Sequence, residues 1–273
     1  MRYVKLAGSS VPAIGQGTWY MGENPHRKAA EVAALQQGIE LGLTLIDTAE
    51  MYAEGGAEEV VGQAIAGRRD QVFLVSKVYP HNASQRGVPA ACERSLKRLG
   101  TDCIDLYLLH WRGQYPLEET VEAFERLREQ GKIRRWGVSN FDVDDLRELD
   151  DANCATNQVL YNPTQRGIEF DLLPWSQKRG LPTMAYCPLA QAGQLLQHSV
   201  LSEIAERHGA TPAQVSLAWV TRNDGVVAIP KAVTPEHVRL NAAAGVLSLN
   251  IEDLRAIDRA FPAPTRKQPL AMV

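Results

Sequence analysis

Apolar residues follow two different spacings along this chain, and the two spacings alternate. Some are consecutive, as in the run Val72-Phe73-Leu74-Val75, whereas others recur every three or four positions, as Leu117, Val121, Phe124 and Leu127 do. A short apolar run predicts a strand that is buried on both faces, and the longer spacing predicts a helix with one buried face. The pattern therefore predicts a chain in which buried strands and helices take turns.

About eight strand-then-helix units follow one another, after a short β-hairpin. The hairpin strands are predicted at residues 2–6 and 10–13, around a turn at Ala7-Gly8-Ser9. The eight further strands are predicted at residues 14–19, 45–47, 72–77, 104–110, 134–139, 156–160, 182–186 and 226–230. Helices are predicted at residues 58–66, 143–149, 172–179, 200–208 and 235–244, from Pro25 to just before Gly42, and from Pro212 and Ile251 onward. Two more are predicted from their inward-facing residues, which are Cys92, Leu96 and Leu99 in one helix and Leu117, Val121, Phe124 and Leu127 in the other, which ends before Gly131.

Strands that are buried on both faces imply parallel pairing, with the helices packed outside. Eight such units within about 250 residues predict a single (β/α)₈ barrel domain over residues 1–273, with an N-terminal β-hairpin and extra C-terminal helices. An open, doubly wound sheet is the rival fold. It is disfavoured because no Gly-x-Gly-x-x-Gly fingerprint follows the strand at 14–19, where Gly17 is followed by no glycine until Gly22.

Composition argues against several other classes of protein. The 273 residues are 45% hydrophobic, and their formal net charge is −3, so the sequence gives no sign of a nucleic-acid-binding surface. No apolar run approaches the ~18 residues of a membrane span, and the first residues lack an apolar signal core. The four cysteines form no C-x-x-C pair, which favours reduced thiols in the cytoplasm over disulfides or a metal site.

Polar or aromatic side chains end nearly every predicted strand, although the strands themselves are apolar. In chain order they are Trp19, Asp47, Lys77, His110, Ser139, Asn140, Gln158, Tyr186 and Lys231. The carboxyl ends of the strands of a (β/α)₈ barrel meet at one mouth, which is where such barrels carry their active sites. The sequence therefore predicts one site that contains these residues.

Three of the predicted mouth residues, together with Tyr52 in the loop after Asp47, suggest a proton-donating centre. A tyrosine has an unperturbed pKa near ~10, so Tyr52 alone is a weak acid at neutral pH. A buried Lys77 beside it, kept charged by Asp47, is predicted to lower that pKa, and His110 is predicted to orient a carbonyl oxygen. The alternative for the local stretch is that Asp47 caps a turn and Tyr52 covers the core.

A set of short motifs resembles the aldo-keto reductases. The motifs are Asp47-Thr48-Ala49-x-x-Tyr52, Ser76-Lys77, Leu109-His110-Trp111, Gly137-Val138-Ser139-Asn140-Phe141, Asn157-Gln158 and Ile229-Pro230-Lys231. They occur in the family's order through nearly the whole chain. The resemblance implies a barrel enzyme that reduces carbonyls with NADPH and is a monomer, with Tyr52 as general acid, Lys77 and Asp47 as its tuning pair, and His110 as the orienter.

The resemblance also implies a set of cofactor contacts. Tyr186 would stack on the nicotinamide, and the full set is Gly17, Thr18, Asp47, Ser139, Asn140, Gln158, Tyr186, Pro188, Leu189, Gln191, Gly193, Ile229, Lys231, Thr234, His237 and Asn241. Thr234-Pro235 opens a helix whose free N–H groups favour an anion such as a 2′-phosphate. The chain departs from the family pattern at Cys187, Ala232 and His237, so NADPH is expected but NADH stays an alternative.

Aromatic residues are predicted to wall the substrate pocket. Trp19, Tyr20, Tyr79 and Trp111 neighbour predicted catalytic positions, and His110 would also contact the substrate. Short segments at 111–116 and after Phe261 predict an open, shallow site for small or varied aldehydes. Arg112, next to the mouth, either assists a dicarbonyl or a carboxylate or is a solvated loop residue. The chain particularly resembles bacterial members that reduce 2-oxoaldehydes such as methylglyoxal. An NADP(H)-binding sensor or accessory subunit is the alternative function.

Overall fold

Eight parallel strands form the centre of the molecule. The structure is a computed structural model and describes residues 1–150 and 153–273. Each strand pairs with its neighbours in chain order, from the first to the last. They are β3 (Gln16–Gly17), β4 (Leu45–Asp47), β5 (Phe73–Val78), β6 (Ile104–Leu109), β7 (Ile133–Ser139), β8 (Cys154–Leu160), β9 (Thr183–Tyr186) and β10 (Val226–Ala228).

Backbone hydrogen bonds join the first strand of the sheet to the last. The N–H of Gly15 donates to the carbonyl oxygen of Ala228 at 2.8 Å, and the N–H of Ala228 donates to Ala13 at the same distance. The N–H of Gly17 donates to Pro230 at 3.0 Å. A Cβ on Gly17 would lie 2.6 Å from the carbonyl oxygen of Ile229, so this close approach requires a glycine. The predicted barrel is confirmed.

Ten α-helices among the described residues surround the sheet. They are α1 (Lys28–Glu40), α2 (Gly56–Ile65), α3 (Gly87–Leu99), α4 (Leu117–Glu129), α5 (Val143–Leu149), α6 (Leu172–Lys178), α7 (Ser199–His208), α8 (Pro212–Val220), α9 (Pro235–Ala244) and α10 (Ile251–Ala260). Helices α7 and α8 both lie between β9 and β10, and α10 follows α9, so the predicted extra helices are present. In the described part of the chain, every helix is too short or too polar to span a membrane.

The hairpin closes the amino-terminal end of the barrel. Its strands β1 (Tyr3–Leu6) and β2 (Ser9–Pro12) pair antiparallel, as predicted. Leu6 and Val11 of the hairpin are buried in one apolar cluster with side chains from the barrel interior, including Leu106 and Val227. Side chains therefore fill the barrel interior at its amino-terminal end, and a cavity can form only toward the carboxyl ends of the strands.

Most predicted boundaries are correct to within a few residues, and the first helix shows the main difference. The side chain of Asn24 accepts a hydrogen bond from the N–H of His26, as predicted for a cap, but the first turn, Pro25–Arg27, is a 3₁₀ helix. Helix α1 begins only at Lys28. The strands that end at Asp47, Val78, Leu109, Ser139, Leu160 and Tyr186 all direct their following residues to the same mouth.

Candidate active site

The loop after β4 turns back sharply on itself. The N–H of Thr48 still donates to Val75 at 2.9 Å, so Asp47 is held by the sheet. Tyr52 then begins a short 3₁₀ segment, Tyr52–Gly55, in which Ala53 and Glu54 have positive φ angles of 50° and 53°. This tight left-handed turn leaves Tyr52 beside the end of the strand that carries Asp47.

Lys77 lies at the centre of a buried group and uses all three of its N–H donors there. Its side chain is 0% exposed, and its Nζ donates to Asp47 Oδ2 at 2.7 Å, to the carbonyl oxygen of Thr48 at 2.9 Å and to the hydroxyl oxygen of Tyr52 at 3.1 Å. The second carboxylate oxygen of Asp47 accepts from Gln158 Nε2 at 2.7 Å. Lys77 thus contacts both predicted partners.

His110 approaches the same group from β6. Its ring meets the ring of Tyr52 edge to face, with 5.7 Å between their centroids. Burial, reinforced by the positive charge of Lys77, lowers the pKa of His110 well below its ordinary value. Its imidazole is therefore neutral at pH 7, and a neutral imidazole can donate one hydrogen bond. Among the described residues, none bonds to its Nδ1.

The net shift in the pKa of Tyr52 differs from the predicted one. Burial raises the pKa of Tyr52, and the opposing effect of Lys77 is smaller, so the phenol is protonated at neutral pH. Lys77 lowers the pKa of Tyr52 as predicted, but the expectation that the pKa is lowered on balance is wrong, because burial has the larger effect. Burial alone would lower the pKa of Lys77, but Asp47 and Tyr52 outweigh it and raise that pKa. The group consequently consists of a neutral phenol beside a permanent cation.

These residues border a cavity of about 670 Å³ at the mouth of the barrel. Tyr52, His110 and Asp47 line it, whereas Lys77 lies behind them. A volume of this size is within the range of about 300–1,000 Å³ that holds small molecules and cofactors in proteins. The cavity, with a phenol and a neutral imidazole at its floor, can place a carbonyl oxygen next to a proton donor.

A family model described as the Aldo/keto reductase family matches residues 13–261. The chain belongs to this family. It is 58% identical to the methylglyoxal reductase YeaE of Escherichia coli (strain K12), over 100% of this chain and 99% of that protein. It is 38% identical to a glyoxal reductase of Bacillus subtilis (strain 168), over 92% of this chain and 89% of that protein.

A solved aldo-keto reductase has almost the same structure. The enzyme from Klebsiella pneumoniae in complex with NADPH superposes with a TM-score of 0.98 at 58% sequence identity, covering 100% of this chain and 99% of that one. An aldo/keto reductase from Klebsiella pneumoniae solved with NADP and acetate also superposes with a TM-score of 0.98 at 58% identity, covering 99% of each chain. The barrel, its loops and its hairpin are therefore shared over the whole described chain.

Four polar residues on one side of the aldo/keto reductase cavity bond to one another. Tyr186 donates its hydroxyl proton to Asn140 Oδ1 at 2.8 Å, and Asn140 Nδ2 donates to the carbonyl oxygen of His110 at 3.2 Å. Ser139 Oγ donates to the carbonyl oxygen of Gln158 at 2.9 Å. Because the side chain of Gln158 also holds Asp47, this polar wall and the buried Lys77 group are one connected network.

Most of the predicted cofactor contacts do line the cavity. They are Gly17, Thr18, Asp47, Ser139, Asn140, Gln158, Tyr186, Pro188, Leu189, Gln191, Ile229 and Lys231. The remaining four, Gly193, Thr234, His237 and Asn241, are not part of its lining. Thr234 caps α9, with its hydroxyl accepting from the N–H of His237 at 3.3 Å, as the sequence predicts. These last residues could contact only a ligand that extends beyond the cavity.

Three of the four aromatic rings predicted for the pocket wall do line the cavity. Trp19 and Tyr20 stack with 4.5 Å between their centroids, and both line the cavity, as Trp111 does. Tyr79 is not in the lining; its ring packs on Trp111, at 5.2 Å and 88°. Arg112 is not part of the lining, and its guanidinium bonds Glu148 and Asp145, at 2.5 Å and 3.3 Å, which favours the alternative of a solvated loop residue.

Residues near the chain's C-terminal end also line the cavity, and sequence reasoning missed them. Met272 and Val273 contribute to its wall, together with Met51, Ala192 and Pro230. Lys267 holds the tail at 262–273 through Asp142 at 3.1 Å and Asp171 at 3.3 Å. The tail therefore adds an apolar side to a site that was expected to be open and shallow. The apolar run Leu270-Ala271-Met272-Val273 after a polar segment was the available signal.

Proposed function

We propose that this protein reduces small aldehydes and 2-oxoaldehydes to alcohols, with NADPH as the hydride donor and Tyr52 as the proton donor. The observation that carries the proposal is the buried ammonium of Lys77, which contacts Asp47 and the Tyr52 hydroxyl at 2.7 Å and 3.1 Å. A proton donor of this kind serves an oxyanion that forms on a carbonyl carbon. The relatives that reduce methylglyoxal and glyoxal support the same substrate class.

Each residue of the centre has a distinct role in this proposal. A substrate carbonyl oxygen lies against the Tyr52 hydroxyl and accepts a second hydrogen bond from the neutral imidazole of His110. When Tyr52 gives up its proton, the ammonium of Lys77 stabilises the phenolate that is left. Asp47 keeps that ammonium charged in a site without water contact. The raised pKa of Tyr52 keeps the proton in place until an oxyanion develops.

The residues present fit a nicotinamide cofactor. Ser139, Asn140 and Gln158 offer hydroxyl and amide groups for a carboxamide, and the hydroxyl of Tyr186 is fixed by Asn140 so that its ring stays at the cavity wall. Lys231 adds an exposed cation for a phosphate. When bound, the cofactor supplies the hydride. The Klebsiella pneumoniae relative solved with NADPH supports this choice, and Thr234, His237 and Asn241 are proposed for its outer phosphate and adenine.

We also propose that the substrate is small and that the enzyme acts as a cytoplasmic monomer. Trp19, Tyr20 and Trp111 form a flat apolar wall, and Met272 narrows the cavity from the tail. These contacts suit a compact carbonyl compound better than a bulky one. Among the described residues, Cys92, Cys103 and Cys187 form no disulfide, which supports a reducing compartment.

The decisive experiment replaces Tyr52 with Phe and follows the absorbance of NADPH in the presence of methylglyoxal. Loss of a general acid should reduce kcat by about 10²- to 10⁴-fold. Binding of NADPH, measured by fluorescence, should stay close to that of the unmodified protein. Tyr3→Phe is the matched control, because Tyr3 is 62% exposed on the hairpin at the other end of the barrel.

Two outcomes would contradict the proposal. Undiminished turnover in Tyr52→Phe would remove Tyr52 from the role of acid. A flat absorbance trace for the unmodified protein over a wide panel of aldehydes, with NADPH bound, would instead favour a sensor or accessory subunit.

A further inference from the structure

A buried carboxylate in the catalytic loop has no part in the proton-donating centre. Glu50 lies between Asp47 and Tyr52 in the chain, and its side chain is only 8% exposed. Its Oε1 accepts from the N–H of Tyr79 at 2.8 Å and from Asn82 Nδ2 at 2.9 Å. Burying a carboxylate is unfavourable unless it is well bonded, so these contacts define where this side chain must lie.

The two bonds of Glu50 connect separate loops. Glu50 belongs to the loop after β4, whereas Tyr79 and Asn82 belong to the loop after β5, where Pro80–Asn82 forms a 3₁₀ turn. The N–H of Glu50 also donates to the carbonyl oxygen of Lys77, at 3.4 Å. One carboxylate therefore ties the backbone that carries Tyr52 to the backbone that carries Tyr79.

The ring of Tyr79 packs behind the aromatic wall of the cavity. It stacks on His81 at 4.5 Å and meets Trp111 edge to face at 5.2 Å. Trp111 lines the cavity and lies 4.8 Å from the ring of His110. A displacement of Tyr79 would therefore move the aromatic wall through Trp111, whereas His110, whose ring also packs on Tyr52, and the buried Lys77 group stay in place.

We propose that Glu50 is a positioning residue that sets the affinity for the carbonyl substrate, by holding Tyr79 behind Trp111 at a fixed distance from Tyr52. This inference rests on the proposed reductase function and extends it to a residue outside the cavity. Glu50 acts on the reaction only through the wall, so its loss should change KM far more than kcat. A role limited to stabilising the loop would leave both constants unchanged in the folded protein.

The test compares Glu50→Ala, Glu50→Gln and Arg94→Ala in full-length protein. In E50A we expect KM for methylglyoxal to rise by up to about tenfold, because losing hydrogen bonds to a charged acceptor lowers the fraction of molecules with the wall in place, while kcat changes less than about threefold. E50Q keeps a side-chain oxygen that can accept from the N–H of Tyr79, so it should restore most of the affinity. R94A is the control, because Arg94 is 50% exposed and reaches Glu50 only at 3.4 Å.

Further measurements separate this inference from the proposed function. NADPH affinity should be equal in all variants, and hydrogen exchange at residues 79–82 should be faster in E50A than in R94A. If the unmodified protein shows no turnover, the proposed function fails; a fluorescence titration with methylglyoxal and NADP⁺ then tests Glu50 by substrate affinity alone.

The inference is overturned if E50A exchanges faster at 79–82 but keeps its KM, or if kcat falls with KM unchanged. If E50A does not fold, Tyr79→Leu carries the test, since it removes the ring behind Trp111 but keeps the backbone bond to Glu50. An unchanged KM in that variant would equally overturn the inference.

Discussion

Replacing Lys77 with Met should strongly destabilise the fold, as well as remove activity. Met has a similar length and no charge, so the change leaves Asp47 buried, 2% exposed, without its cation at 2.7 Å. Among the residues that the structure describes, only Gln158 Nε2 would remain as a side-chain partner of that carboxylate. Removing one member of a buried ion pair costs roughly 3–5 kcal/mol of unfolding free energy, because the other charge is left uncompensated.

The loss of unfolding free energy in Lys77→Met depends on the negative charge that stays on Asp47, and a second substitution tests this directly. In the double variant Asp47→Asn with Lys77→Met, no buried charge remains, and the Asn can still bond to Gln158. Because a buried pair that is replaced by neutral groups is often close to neutral in stability, the double variant should recover roughly 2 kcal/mol or more of the loss. The two substitutions are therefore expected to be far from additive.

Urea unfolding followed by far-ultraviolet circular dichroism measures both effects, provided that the slope against urea concentration is the same in each variant. Lys28→Met is the matched control, since the Lys28–Glu59 pair at 3.0 Å has side chains that are 30% and 53% exposed and should contribute at most about 1 kcal/mol. If Lys77→Met costs no more than this control, or if the double variant is no more stable than the single one, Asp47 is not an uncompensated charge and the reasoning is refuted.

Two further predictions concern the tail and the dependence of stability on pH. Lys267→Ala should loosen residues 262–273, because it removes the ion pairs with Asp142 and Asp171. These pairs are exposed and Leu270 also packs on the core, so KM for small aldehydes should rise by about fivefold at most as Met272 moves in the wall. High salt should weaken the same pairs in the unmodified protein, and equal KM values in the two proteins would contradict this. Burial alone would raise the pKa of Glu169, but hydrogen bonds from two arginines and a tyrosine hold it below its ordinary value. Its stabilising effect is therefore complete above about pH 4.3 and is lost as the pH falls through the lowered pKa. Between pH 7 and pH 3, Glu169→Gln should lose less unfolding free energy than the unmodified protein, measured by urea unfolding. An equal loss would show that this carboxylate does not contribute to the pH dependence of stability.

Much of the architecture could be predicted from local patterns. Each strand is a run of apolar residues such as Val72 to Val75, and each helix has a three-to-four spacing, so the order of elements follows from the chain itself. Parallel strands that are buried on both faces leave few folds to choose from, and the barrel then places Asp47, Lys77 and His110 at one mouth. The predicted contacts of Lys77 need nothing beyond this convergence.

Contacts between distant segments could not be predicted in the same way. Gln158 bonds Asp47 across 111 positions of the chain, and Glu50 reaches the backbone of Tyr79 across 29. No spacing in the sequence reports such a pair, because each partner is chosen by the shape of the folded loops. Closeness in the chain is equally poor evidence of contact. Arg112 follows His110 closely in the sequence, yet its guanidinium bonds to Glu148 of α5.

The sequence by itself determined the barrel and the identity of the groups at its mouth, because both depend on residue type and local periodicity. Only the tertiary structure decided how those groups are charged and enclosed. Burial outweighs the effect of Lys77 on the pKa of Tyr52, and desolvation depends on every neighbour in space. The tail that brings Met272 to the cavity is likewise fixed by Lys267 and carboxylates from other parts of the chain, which meet only once the barrel has formed.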